Sequence, residues 1–239
     1  MSESSAPATS AQSASSDQRS VVKAAGIIGI GTFASRILGF IRDMVMASLF
    51  GATAAADAFY VAFRVPSLLR ELFAEGSMSA AFIPVFTEYH QQKTKREAWE
   101  LASAVFTTLL TIVTGTVLIG IAVTPVIVWY LAPGFHEDPA KLTLAIVLSR
   151  VMFPYLLFIS LAALAMGILN SLRAFAAPAF SPLFLNVFMI GCALFLSPQL
   201  PEPIIGVAIG VVAGGAAQFA MQLPGLARRG FLFGWRFEP

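Results

Sequence analysis

The stretch ASRILGFIRDMVMASLFGATAAADAFYVAFRVPSLLRELFAE, residues 34–75, sets eight charged side chains into lipid-compatible sequence. They are Arg36, Arg42, Asp43, Asp57, Arg64, Arg70, Glu71 and Glu75. Between them the chain is apolar and rich in small residues, the material of transmembrane helices. An Arg at the centre of a bilayer costs about 2.5–3.5 kcal/mol on insertion scales, so four cost on the order of 10–14 kcal/mol. A chain that keeps them must pair them, hydrate them or use them on a ligand. This window is therefore the candidate functional site.

The surrounding composition agrees. The 239 residues are 57% hydrophobic and 12% charged, with mean hydropathy +0.79. Charge is about half the level of a soluble domain. The fold class expected is an all-α polytopic membrane protein. A spanning helix takes about 20 apolar residues, and the length accommodates six. Residues 1–18 are Ser/Ala-rich and lack the bulk to bury themselves, so they read as a disordered cytoplasmic tail. Basic residues arrive only at Arg19 and Lys23, too late for a cleaved signal peptide.

Residues 19–230 then form a six-helix lobe, with spans near 21–50, 57–89, 99–131, 141–172, 178–196 and 204–226. The second is longer than a bilayer requires, and Pro66, Gly76 and Pro84 are expected to bend it. Residues 231–239 read as the start of a cytoplasmic linker. Basic residues follow the even spans: Lys93, Lys95 and Arg96, then Arg173, then Arg228 and Arg229. The loops after odd spans carry Glu137, Asp138 and Glu202. The positive-inside rule thus places both termini in the cytoplasm. Trp99, Trp129 and Tyr130 fall at span ends, where interfacial aromatics belong.

Spacing assigns faces to the charges. Asp57, Arg64 and Glu71 are seven apart and share one face of the second span, with Glu75 one turn beyond Glu71. Arg36 and Asp43 share a face of the first span, with Arg42 beside Asp43. Arg70 lies roughly 20 Å along the helix from Asp57, deep in the membrane. Two readings stand. The charges, which sum to zero, form salt bridges that lock spans one and two together. Alternatively they line a hydrated cavity in which Arg forks grip an anion, for which planar bidentate donors are suited.

Outside the window, Arg150 reads as a snorkelling or helix-packing cation. Asn170 reads as a helix-end hydrogen-bonding group. Gly206, Gly210 and Gly214 make overlapping GxxxG patterns, a helix-packing signal. Cys192 is the single cysteine, and His90 and His136 lie in separate loops. No metal site, cofactor, phosphate-binding loop or nucleophile–base set is expected, and no enzymatic activity or nucleic-acid partner.

Five motifs together resemble the lipid II flippase family MurJ, also called MviN. They are ASRILGFIRD (34–43), ADAFYVAFRVPSLLRELFAEGSMSAAFIPVFTEY (56–89), APGF (132–135), FPYLLFISLAALAMGILNS (153–171) and QLPGL (222–226). The resemblance implies a member of the multidrug/oligosaccharidyl-lipid/polysaccharide exporter superfamily. Such a protein moves undecaprenyl-diphosphate-linked peptidoglycan precursor between the leaflets of the bacterial inner membrane by alternating access. It implies substrate contacts at Arg36, Arg42, Arg70, Asp57 and Ser35. It also implies ion-pairing or gating roles for Asp43 and Glu75, beside which Arg64 and Glu71 stand in the same window. Glu71 occupies a position where many relatives carry a second Arg. The family is about twice this length, so the resemblance implies the first of two lobes and a missing C-terminal lobe or partner chain. Another polyprenyl-linked cargo, or a scaffold role in cell-wall assembly, is the alternative.

Overall fold

The computed structural model describes the backbone of residues 8–71 and 82–231, and the side chains of Val22 and of residues 25–71 and 82–231. All regular structure in these residues is helical. Its elements are α1 (Ala8–Phe50), α2 (Ala54–Arg70), α3 (Ile83–Gln92), α4 (Lys95–Leu131), α5 (Pro139–Met152), α6 (Pro154–Ser171), α7 (Ala176–Gly191), α8 (Pro203–Ala220) and α9 (Leu223–Ala227). Five stretches are long and apolar enough to cross a bilayer: 25–50, 95–131, 139–171, 176–199 and 203–227. Glu75, Gly76 and residues 232–239 lie outside the described residues.

Several boundaries depart from the sequence expectation for physical reasons. The first helix begins at Ala8 rather than near Val21, so most of the expected tail is helical. Ala, Ser and Gln dominate there and no Gly or Pro intervenes before Gly26. Extending a helix that already exists needs no new nucleus. The expected second span is represented by α2 and α3, separated by the undescribed residues 72–81. Pro66 sits buried inside α2 and does not end it. The expected fourth span breaks at Phe153, because Pro154 lacks an N–H and opens a new helix, α6. The fifth ends in a π turn over Cys192–Leu196.

Helix pairing is set by small residues that let backbones approach. A Cβ on Gly206 would stand 2.6 Å from Ser197 Oγ, one on Gly210 2.9 Å from Phe188 O, and one on Gly214 2.8 Å from Leu185 Cα. The whole GxxxG stripe is therefore spent inside the chain, on an antiparallel seam that α8 makes with α7 and the turns following it. On α1, a Cβ at Gly31 would collide with the Ala179 backbone, and Gly39 faces Asn186. Both partners rise together, so α1 and α7 run parallel.

Two apolar clusters fill the interior. One joins α3, α4, α6 and α9 around Phe86, Val113, Phe153, Leu164 and Leu226. The other joins α1, α2, α5, α7 and α8 around Met46, Phe59, Leu148, Tyr155 and Val207. The consequence for the charge window is direct. α1 rests on α7, α2 rests on α5, and α1 and α2 share no packed seam among the described residues.

Candidate functional site

Among the described residues, the acids Asp43 and Asp57 pair with Arg42 and Lys141 rather than across the first two spans, and the two helices pack on different partners. Each charge stripe instead faces away from the protein's own core. On α2, Asp57, Tyr60, Arg64, Leu68 and Glu71 are all exposed, the heptad face the spacing predicts. On α1, Arg36 and Asp43 are exposed among Phe33, Ile37, Phe40 and Met44.

Arg42 is the most constrained of the cations. Its Nε and Nη2 donate to Asp43 Oδ1 at 3.0 and 2.8 Å. Its Nη1 donates to Asn186 Oδ1 on α7 at 3.0 Å. Asn186 is 6% exposed, and its Nδ2 donates to the Ser35 carbonyl at 3.2 Å. One buried amide therefore ties two points of α1 to α7 and sets the orientation of the guanidinium. A guanidinium has five N–H donors; three are engaged here.

Asp57 has a different partner from any on the first span. Its Oδ2 accepts from Lys141 Nζ of α5 at 2.6 Å. Lys141 also lies 4.3 Å from the Phe135 ring centroid. The α2 N-terminus is capped by Thr53, whose Oγ1 accepts from Ala56 N at 3.3 Å. Asp57 thus occupies the first turn, where a carboxylate complements the helix dipole. Ser35 is half-buried, with its carbonyl bound to Asn186. Arg70 is half-buried in the last turn of α2. Arg36 and Arg64 have no ion-pair partner among the described residues.

The embedded cation Arg150 has a definite task. Pro125 lies inside α4 and provides no N–H for the Ile121 carbonyl one turn earlier. Arg150 Nε donates to that carbonyl at 3.3 Å. Pro133 leaves the Trp129 carbonyl in the same position, and there it accepts from His136 Nε2 at 2.9 Å. The His136 ring also stacks on Trp129, 3.7 Å between centroids. No group of three potential metal ligands converges among the described residues.

Asn186 and Lys141 were not singled out by the sequence. Asn186 offered a signal, as a lone amide in the apolar run AFSPLFLNVFMIG (179–191). Lys141 offered none, because a Lys at a span end ordinarily reaches water.

The sequence model described as Lipid II flippase MurJ matches residues 46–239. The chain belongs to the lipid II flippase MurJ family. It is 44% identical over 227 residues to a probable lipid II flippase MurJ of Vibrio cholerae, covering 90% of this chain and 43% of that protein. It is 43% identical over 197 residues to the lipid II flippase MurJ of Burkholderia cenocepacia, covering 82% and 38%. A solved structure, lipid II flippase MurJ in an inward closed conformation, superposes with a TM-score of 0.70 at 32% identity, over 84% of this chain and 42% of that one. The chain thus spans less than half the length of these MurJ relatives. The family and the apolar helices make it a multi-pass membrane protein.

Proposed function

We propose that the chain forms the first lobe of a lipid II flippase, and that it transports its cargo rather than transforming it. The cargo is undecaprenyl-diphosphate-linked peptidoglycan precursor, moved from the cytoplasmic to the periplasmic leaflet of the inner membrane. The lobe crosses the bilayer six times, α2 and α3 together making the second crossing. Both termini are cytoplasmic, as the basic residues beside α4, α7 and α9 favour. A second lobe, in a continuing or partner chain, supplies the facing wall, and the two lobes rock about the site.

The observation that carries this reading is the posture of Arg42. Asp43 and Asn186 hold it through three of its five donors, with no further partner for the other two among the described residues. Arg36 on α1 and Arg70 on α2 add positive charge, and Ser35 adds a hydroxyl beside Arg36. The diphosphate of the lipid suits such donors. Asp43 tunes the grip by competing for Arg42. Asp57 acts with Lys141 in closing the end of the lobe near the α1–α2 turn. Arg64, Glu71 and Glu75 adjust the potential along α2.

The cargo is tested by depleting the protein and identifying the lipid-linked intermediate that accumulates. Lipid II is expected; build-up of a different polyprenyl-linked oligosaccharide with normal lipid II would overturn the assignment.

A further inference from the structure

One strongly charged corner enters this reading only as a topology signal. Gly230 adopts φ +83° and ends α9: Phe231 N donates to Leu226 O at 3.1 Å and Gly230 N to Ala227 O at 2.9 Å. A left-handed C′ residue of this kind reverses the chain direction. The turn lays Phe231, 2% exposed, against Trp99 near the start of α4, with 4.8 Å between ring centroids. It also brings Gly230, which follows Arg228 and Arg229 in the chain, to the start of α4, where Lys95 Nζ lies 3.5 Å from where a Gly230 Cβ would stand.

The nearby carboxylates are largely committed. Glu97 Oε2 accepts from Thr94 N and Oγ1, both at 2.8 Å, and lies close enough to Lys93 to feel its charge. Glu100 accepts from Arg96 Nε at 2.9 Å. Glu88 is exposed one helix away, on α3. Lys95 and Arg228 are exposed with no ion pair among the described residues. Arg229 turns Nη1 back onto the Gly225 carbonyl at 3.2 Å.

We propose that this corner is a binding site for the headgroup of an anionic phospholipid. Lys95, Arg228 and Arg229 hold the phosphate. Trp99, half-buried where the apolar span meets its polar end and backed by the buried Phe231, borders the upper acyl chains. Charge complementarity at the polar end of an apolar span calls for an amphiphile with an anionic head, and the bilayer supplies one at this depth. The proposal rests on the membrane reading but not on which face is cytoplasmic, so symmetric bilayers test it separately from orientation and cargo.

The test is quenching of Trp99 fluorescence in the full chain carrying Trp129→Phe and Trp235→Phe. Bilayers contain phosphatidylcholine with a small fraction of either brominated phosphatidylglycerol or brominated phosphatidylcholine. The site predicts an association preference for phosphatidylglycerol of about fivefold or more, the effect of one well-placed charge. Lys95→Gln with Arg228→Gln and Arg229→Gln brings the ratio to about one. The charge-preserving Lys95→Arg, Arg228→Lys, Arg229→Lys protein retains it. Equal quenching by both lipids in the parent, or a preference surviving the glutamine variant, overturns the site.

Discussion

Arg42 Nη1 on α1 and Asn186 Oδ1 on α7 stand 3.0 Å apart, and this bond joins the membrane charge window to the body of the lobe. Around it the fit is close, since Gly31 meets the Ala179 backbone and Gly39 faces the Asn186 amide. Removing one partner of a hydrogen bond to a charge leaves the other unsatisfied. A double-mutant cycle of Arg42→Ala and Asn186→Ala, read by thermal unfolding in detergent, is expected to give a coupling of about 1.5–3 kcal/mol. A coupling near zero would mean that α7 does not hold the guanidinium.

The glycines of α8 give a prediction about assembly. Gly210 has no room for a side chain beside Phe188 O and Met189 Cα. Gly210→Leu is expected to destabilise the lobe by about 1–3 kcal/mol through overpacking. Size-exclusion chromatography should show no change of oligomeric state, because the stripe is consumed by α7. A clean shift from dimer to monomer would contradict this.

Arg150 and Pro125 are predicted to be coupled through a carbonyl that neither carries. Arg150→Ala orphans the Ile121 carbonyl, at a cost of about 1–3 kcal/mol. Pro125→Ala restores a helical N–H to that oxygen, so Arg150→Ala should be milder in the Pro125→Ala background. Additive losses in the unfolding midpoints would refute the shared acceptor.

The Lys141–Asp57 bridge ties α2 to α5, with the lysine side chain 17% and the carboxylate 58% exposed. A half-exposed pair contributes about 0.2–1 kcal/mol, so Lys141→Gln is expected to cost little stability. Its larger effect should fall on transport, through motion of α2. Complementation should weaken in Lys141→Gln and recover in Lys141→Arg; equal growth of both with the parent would reduce the bridge to a surface pair.

Much of this architecture was legible in the sequence. Apolar runs ended where α1 and α4 end, at Phe50 and Leu131. Heptad spacing put Asp57, Arg64 and Glu71 on one face of α2, as found, though not that the face would be exposed. Pairing was not legible. Helices adjacent in sequence are the natural first guess, yet α1 settles on α7 because Gly31 and Gly39 meet Ala179 and Asn186 far along the chain. The break at Phe153 was hidden because Pro154 sits within an unbroken apolar run that reads as one span. Asn186 was hidden because a single amide in such a run carries no sign of its partner.

The proposed function turns on Arg42 gripping the diphosphate of a lipid-linked precursor. Its most direct test is complementation of a flippase-depleted strain by the gene carrying Arg42→Ala, with protein levels in the membrane measured in parallel. No growth at normal membrane levels is expected. Growth at the parental rate would contradict it.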